Sequence, residues 1–316
     1  MSRETGPTGH EPVSDTGWHV PVLLAPILER ARNVERVVDA TLGHGGHAAG
    51  FVAQGARVLG IDRDPDAIVT ARTRLGDDRV TYLQAAYASD VAFRAVNAFR
   101  PEFILLDLGV SSRQLDQADR GFTFRPGAPL DMRMGPDVPT AADWLARVDE
   151  PELTAALRDF ADERHAARMA REILRRRTTA PFLISDDLVN AIRAVLGSQS
   201  GPADFARVFQ GLRIAVNDEL GGLGRALPVF REALPAGGTL AVISYHSGED
   251  RLVKGAFRAW QQGCTCPPRL PQCVCGRTPL GSAEPRKAII PLAAEVARNP
   301  RARSAKLRFF RVHHAG

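Results

Sequence analysis

Three acidic residues close apolar or mixed runs in this chain: Asp62 after "RVLGI", Asp107 after "EFILL" and Asp250 at the end of "GGTLAVISYHSGED". Ahead of them stands "DATLGHGGHAAG" (Asp39–Gly50), which packs four glycines and two histidines behind an apolar run. Glycines at Gly43, Gly45 and Gly46 allow tight turning and let a ligand touch main-chain N–H groups. A carboxylate such as Asp62, at the end of the next apolar run, can accept both hydrogen bonds of a ribose diol. The two features together suit either a dinucleotide or S-adenosylmethionine. The G-x-G-G pattern is not the G-x-G-x-x-G that aims a helix N-terminus at a pyrophosphate. S-adenosylmethionine carries no phosphate and accepts a looser loop. A plain strand-to-helix turn would leave unexplained why Asp62, Asp107 and "SYHSGED" fall on one rim.

Other residue groups point to weaker chemistry. His44 and His47 read as partners of backbone or ligand, since a glycine-loop histidine is more often that than a metal ligand. All four cysteines (Cys264, Cys266, Cys273, Cys275) lie in "CTCPPRLPQCVC". Four thiolates can surround zinc, but C-x-C is tighter than the usual ligand spacing, and the preferred reading is a Pro-pinned loop of reduced thiols. Arginine concentrates in "RHAARMAREILRRR" (Arg164–Arg177) and "RNPRARSAKLRFFR" (Arg298–Arg311). The first is partly balanced by Glu163 and Glu172, so a solvated helix face is as good a reading as a phosphate contact; the second lacks local acids and is the better candidate.

These residues need a scaffold. "RVVDATLG", "RVLGIDRD", "VTYLQA" and "EFILLDLGV" read as strands, with helices in "HAAGFVAQG" and "PDAIVTARTRL". Continuous apolar strands alternating with helices argue a parallel sheet covered on both faces. After Val110 comes a long Gly/Pro-rich polar segment, the length of which suggests function. Helices follow: "TAADWLARV" behind a Thr140/Asp143 capping box, a long amphipathic helix over "PELTAALRDFADERHAARMAREILRRR" with a break near Ala161, and "SDDLVNAIRAVLG" from a Ser185 cap to Gly197. "VFQGLRIAVNDELGGLGRALPVFREAL" resumes the helical layer of the sheet, "GGTLAVISYHSGED" supplies a fifth strand, and "KAIIPL" and "AKLRFFRV" the last two. The expected organisation is a tail over 1–17, a sheet domain from 18–112 and 207–316, and a helical substrate-recognition insert over 113–206.

Composition sets outer bounds. With 316 residues, 44% hydrophobic and 24% charged, the chain has the profile of a soluble globular protein. No apolar run approaches the ~20 residues a membrane span needs, and "MSRETGPTGHEPVSDTG" has no secretory h-region, so a cytoplasmic protein without a membrane partner is expected. A net charge of +5 favours an anionic partner only modestly.

Eight ordered stretches resemble a known family: "HVPVLL", "DATLGHGGH", "GIDRDPDAI", "DLGVSSRQLD", "RGFTFRPGAPLDMRM", "FQGLRIAVNDEL", "ISYHSGEDRLVK" and "NPRARSAKLR". They resemble the bacterial 16S rRNA cytosine-N4 methyltransferases, the small-subunit methyltransferase H or MraW family, and span residues 19 to 308. The resemblance implies a class I S-adenosylmethionine-dependent methyltransferase, Rossmann-like, with a mostly parallel seven-stranded sheet and an inserted helical domain. It implies S-adenosylmethionine as donor and 16S rRNA within the small ribosomal subunit as substrate, methylated at a cytosine of the decoding region. Carried across, the cofactor contacts fall on Gly45, Gly46, His47, Asp62, Tyr87, Asp107 and Gln114, with Gly43 beside them. The chain departs from the family's pattern in "FADERHAARMA", "SGPADFARVFQGLR" and "SGED", on the substrate side.

Asp107 is the expected central catalytic group, an acceptor for amine protons, with His246 next. Asp131, Arg133 and Asp250 are candidates for holding the base, and Arg301, Arg303 and Arg308 for holding phosphates. Rival readings are an amino-methyltransferase acting on another RNA or on DNA, a noncatalytic RNA-binding assembly factor, and an NAD-dependent oxidoreductase, which the G-x-G-G pattern disfavours. "DLGV" stands where DNA amino-methyltransferases usually carry an Asp/Asn-Pro-Pro-aromatic motif. The sequence leaves the oligomeric state open, a homodimer included.

Overall fold

Apolar runs become strands where both of their faces can be covered. β1 (Arg36–Asp39), β2 (Arg57–Asp62), β3 (Val80–Gln84), β4 (Phe103–Asp107) and β5 (Thr239–Ser244) are parallel neighbours, and β6 (Gly281–Ala283) and β7 (Lys306–Val312) complete the sheet antiparallel. The order is β3-β2-β1-β4-β5-β7-β6, the mostly parallel seven-stranded sheet that was expected. The structure is a computed structural model that describes residues 21–264, 266, 272 and 275–313; the expected N-terminal tail and Cys273 lie outside the described residues.

Helices alternate with the strands as the apolar spacing requires: α1 (Leu24–Arg30), α2 (Gly46–Ala53), α3 (Pro65–Leu75), α4 (Asp90–Phe99) and α5 (Ser112–Asp116) precede the helical layer. That layer holds α6 (Ala141–Arg147), α7 (Glu150–Asp159), α8 (Ala166–Arg177), α9 (Ser185–Leu196) and α10 (Pro202–Asn217). The chain returns to the sheet through α11 (Glu219–Ala233), α12 (Ser247–Gln261) and α13 (Ala293–Arg298). On β4, Phe103 and Leu105 join a core with Ile27, Phe51 and Ala71 from α1 to α3. Ile104 and Leu106 point into the opposite core, with Val96, Phe230 and Phe257 from α4, α11 and α12. A third core, with Leu145, Leu153, Met169, Ile192 and Leu212, binds α6 to α10 together and runs through Val216. No described helix is long and apolar enough to cross a membrane.

One local expectation, the break near Ala161, is met, and two others change. The amphipathic run breaks fully near Ala161 into α7 and α8, because the buried Glu163 carboxylate accepts from the His165 N–H and from Arg207 across the turn. The cap of α9 is not Ser185: Asp187 accepts from the backbone of Leu183 and Ile184, while the Ser185 hydroxyl donates to the Arg125 carbonyl. "KAIIPL" is not a strand. Only Ile289 exchanges backbone hydrogen bonds with Leu307; Pro291 has no N–H to continue a ladder, and the edge position goes to β6.

Candidate active site

Beyond the carboxyl ends of β1, β2, β4 and β5 lies a cavity of about 880 Å³, where strand order turns from β1 toward β4. That is the position at which open parallel sheets bind ligands. Gly43 leaves β1 with φ +51°, and a side chain there would meet nothing within 4 Å, so its backbone faces open space. The Gly43 N–H donates to Asp62 Oδ2 at 2.8 Å, and the Asp64 N–H to Oδ1 at 2.9 Å. The carboxylate is thereby fixed with lone pairs left over for a diol. Burial pushes the Asp62 carboxyl up to about 6, against the pull of those two N–H groups. Gly46 also lines the cavity. At Gly45 and Gly46, however, an added Cβ would sit 2.7 Å from Leu75 and from Pro21, respectively, so the pressure for glycine there comes from the protein's own packing.

Asp107 ends β4 on the cavity wall, and its N–H is tied to Thr41 Oγ1 at 2.6 Å. Its Oδ1 accepts from the Tyr245 hydroxyl at 2.9 Å, and its Oδ2 lies 3.6 Å from His47 Nδ1. His47 Nε2 is 2.9 Å from the Val22 carbonyl, which can only accept, so Nε2 carries the ring's first proton. Nδ1 is the ring nitrogen that faces Asp107. Burial raises the Asp107 carboxyl, opposed by His47 and the Tyr245 hydroxyl. Beneath this pair sits Asp39, buried, with Oδ2 lacking a hydrogen-bond partner among the described residues. Burial, offset in part by His47, lifts Asp39 to about 7.

The cavity's rim is tied to the helical layer. Gln114 lines it, but its amide is engaged on both sides: Oε1 accepts from Ser111 N–H at 2.9 Å and Nε2 donates to Asp64 at 3.1 Å. Arg120 donates to the same Asp64 oxygen at 2.8 Å. Asn217, at the end of α10, donates to Met132 O at 2.7 Å and accepts from Met134 N at 2.9 Å. It holds "PLDMRM" in place with Met132 at φ 60°, a strained value for a side chain of that size. Arg213 and Glu219 form a two-pronged ion pair at 2.8 and 3.0 Å on the same wall. Tyr87 presents its ring there, with its hydroxyl 3.5 Å from the Glu219 carbonyl and its ionisation pushed up by burial.

The remaining candidates are placed differently. His246 caps α12: Glu249 N–H reaches Nδ1 over a long 3.5 Å. Its Nε2 sits 3.2 Å from Glu249 Oε1 and makes no hydrogen bond among the described residues. The ring lies on the wall shared by the main cavity and a second of about 330 Å³ formed with α7, α10 and α12. Asp131 and Arg133 pair with each other through two 2.8 Å bonds and do not line the main cavity. Asp250 is neutralised by Arg308 at 2.8 Å and Lys306 at 3.2 Å. The charge of Arg308 is thus used inside the chain rather than offered to phosphate. Arg301 lines the cavity and pairs with Asp116 at 2.6 Å; Arg303 is exposed. In α8, Glu172 binds Arg175 and Arg176, and Arg177 donates to the carbonyls of Leu145 and Val148. Sequence reasoning passed over Asp39, Tyr245, Arg213 and Asn217.

The model of the MraW methylase family matches residues 16–313. Among curated proteins, the ribosomal RNA small subunit methyltransferase H of Gemmatimonas aurantiaca is 55% identical over 311 residues, covering 96% of this chain and 99% of its own length. That of Rubrobacter xylanophilus is 47% identical, covering 86% of this chain and 88% of its own. That of Heliobacterium modesticaldum is 44% identical, covering 92% and 97%.

Proposed function

The chain belongs to the MraW methylase family, and from that premise we propose that it uses S-adenosylmethionine to methylate N4 of a cytosine in the decoding region of 16S rRNA. The observation that carries the reading is the cavity at the strand-order switch, with Asp62 on one side for a ribose diol and Asp107 on the other for an amine. The residues fit the donor: an open backbone at Gly43, a fixed carboxylate at Asp62 and an aromatic face at Tyr87 suit a nucleoside with a charged tail.

When bound, S-adenosylmethionine supplies an electrophilic methyl group. The chain's own work is to prepare the amine. The exocyclic nitrogen of cytosine is a poor nucleophile because its lone pair is delocalised into the ring. An acceptor on its N–H turns that lone pair outward and fixes its direction. Asp107 lines the cavity with its carboxylate oriented by Tyr245 and by the Thr41-anchored backbone. Forming the new N–C bond would break the donor's S–CH3 bond, with the neutral thioether as leaving group, and would release one amine proton. Asp107 takes it, and His47 Nδ1 is placed to share it. The base must leave its stack to reach this rim.

The deciding experiment is transfer of a tritiated methyl group to small subunits from a strain lacking this gene, followed by nucleoside analysis. N4-methylcytidine is the expected product. Label on another nucleoside would refute the cytosine assignment, and tight RNA binding with no label would favour a noncatalytic assembly role.

Phosphate contact is expected to be selective among the C-terminal arginines. Arg303→Ala should weaken RNA binding and reduce the salt slope of log affinity by about one unit. Arg308→Ala should leave that slope unchanged and instead lower thermal stability, because it removes the shorter of two ion pairs and leaves the partly buried Asp250 with Lys306 alone. Equal salt slopes for wild type and Arg303→Ala would remove Arg303 from the interface.

A further inference from the structure

We propose that Cys264, Cys266 and Cys275 form a thiolate site for one zinc ion, apart from the donor cavity. Their Sγ atoms all lie within 4.8 Å of one another. Thiolates around tetrahedral zinc, with Zn–S near 2.3 Å, stand about 3.8 Å apart, so side-chain rotation of roughly an ångström closes the set on an ion. None of the three lines the cavity that holds Asp62 and Asp107. Cys273, outside the described residues, is not counted in the site.

The path of the backbone explains why the thiols meet. At its base the segment from α12 to β6 is pinned: Leu280 N–H donates to the Trp260 carbonyl at 2.8 Å, and Gly263 abuts Pro279 so closely that a Cβ would lie 3.3 Å from its ring. Cys264 and Cys266 ride on the outgoing leg just past this junction, and Cys275 on the returning leg. Between the legs, none of the described residues from 262 to 280 is in helix or strand or contributes a buried apolar side chain. Described residues with so little regular structure and core packing of their own need another source of order. The Cys266 N–H also points at Cys264 Sγ at 3.4 Å, which stabilises negative charge on that sulfur.

Three soft thiolates select zinc over hard cations such as magnesium or calcium, which take oxygen ligands. The fourth coordination position falls to water or another donor. The ion would fasten the loop where the sheet ends, next to Trp260 and Phe310, which stack edge-to-face at 5.1 Å, and to Gln261, which accepts from Ala283 N–H of β6 at 3.0 Å. Its part is structural, independent of the methyl-transfer reading.

The test uses the full chain, purified under reducing conditions without chelator. Elemental analysis is expected to give about one zinc per chain. Replacement with Co(II) should produce a thiolate-to-cobalt charge-transfer band, and a chelator should lower the melting temperature. In Cys264→Ser/Cys275→Ser the metal and the chelator effect should both be lost, while S-adenosylmethionine binding by calorimetry persists and reports an intact sheet. Retention of zinc by that variant would overturn the assignment. So would a reduced wild-type chain that takes up neither zinc nor Co(II), or one that carries an intramolecular disulfide and no metal. Should the variant fail to fold, the wild-type Co(II) spectrum decides alone, and absence of the thiolate band refutes the site.

Discussion

Asp107→Ala is expected to slow methyl transfer by about two to four orders of magnitude, the range over which a positioned proton acceptor acts. RNA affinity should stay near the wild-type value, since Asp107 is set into the cavity wall at the end of β4. Asp107→Asn separates the two tasks of the side chain. Its amide oxygen still orients the amine but cannot take the proton, so its rate should fall between those of alanine and wild type. Asp107 must be ionised to accept, and burial raises its carboxyl while the Tyr245 hydroxyl holds it down. Tyr245→Phe removes that restraint. A smaller fraction of Asp107 is then ionised at a given pH, and the rise of rate with pH should move to higher pH. Single-turnover rates at saturating donor across pH provide the measurement. A near wild-type rate for Asp107→Ala would place the acceptor elsewhere, and His246→Ala would be the next variant to examine.

The scaffold was legible because it is written locally. β4 is apolar at every position from Phe103 to Leu106, and the parallel sheet follows from several such runs separated by helical spacing. The rim acids were legible for the same reason: Asp62 and Asp107 are where the apolar runs stop. What binds those acids was not, because the partners are distant in the chain. Tyr245 sits in the quoted "SYHSGED", yet its hydroxyl meets Asp107 across 138 positions. Asn217 grips Met132 across 85 positions, and no periodicity in either stretch announces it. Asp39 carried a signal that could have been used, an acid closing an apolar run like the other two, but only the three-dimensional structure reveals that it is buried beneath the pair. Charge balance misled where it was counted along the sequence: "RARSAKLR" lacks local acids, while Asp250 lies 58 positions from Arg308 and pairs with it directly. The glycine loop was half legible. Its turn at Gly43 faces the cavity, whereas Gly45 and Gly46 answer to Leu75 and Pro21, which sequence spacing does not bring together.

Asp62→Ala should reduce S-adenosylmethionine affinity by about one to two decades, corresponding to loss of charge-assisted hydrogen bonds worth roughly 1.5–3 kcal/mol. The substitution also frees the Gly43 and Asp64 N–H groups, so part of the loss comes from a looser loop. Asp62→Asn corrects for this, since its amide oxygen can keep one of those N–H groups while the charge is gone. The pH dependence gives an independent signature. Burial has raised the Asp62 carboxyl to about 6 from 3.8, so the folded chain holds this proton across a range where the unfolded chain has released it. Its contribution to stability is therefore present below pH about 4 and is lost as pH rises through about 6. Donor binding has the opposite sign. A diol donates to the ionised carboxylate, so wild-type affinity should weaken as pH falls through about 6, with proton uptake or release visible as buffer-dependent heat. Asp39 and Asp107 also titrate within the protein near this cavity, and Asp62→Asn leaves both in place. The component of the pH dependence that disappears in Asp62→Asn thus belongs to Asp62. Calorimetry from pH 5 to pH 8 on the three chains decides it: affinity unchanged in Asp62→Ala, or a pH dependence identical in wild type and Asp62→Asn, would show that the donor's ribose is held by another group.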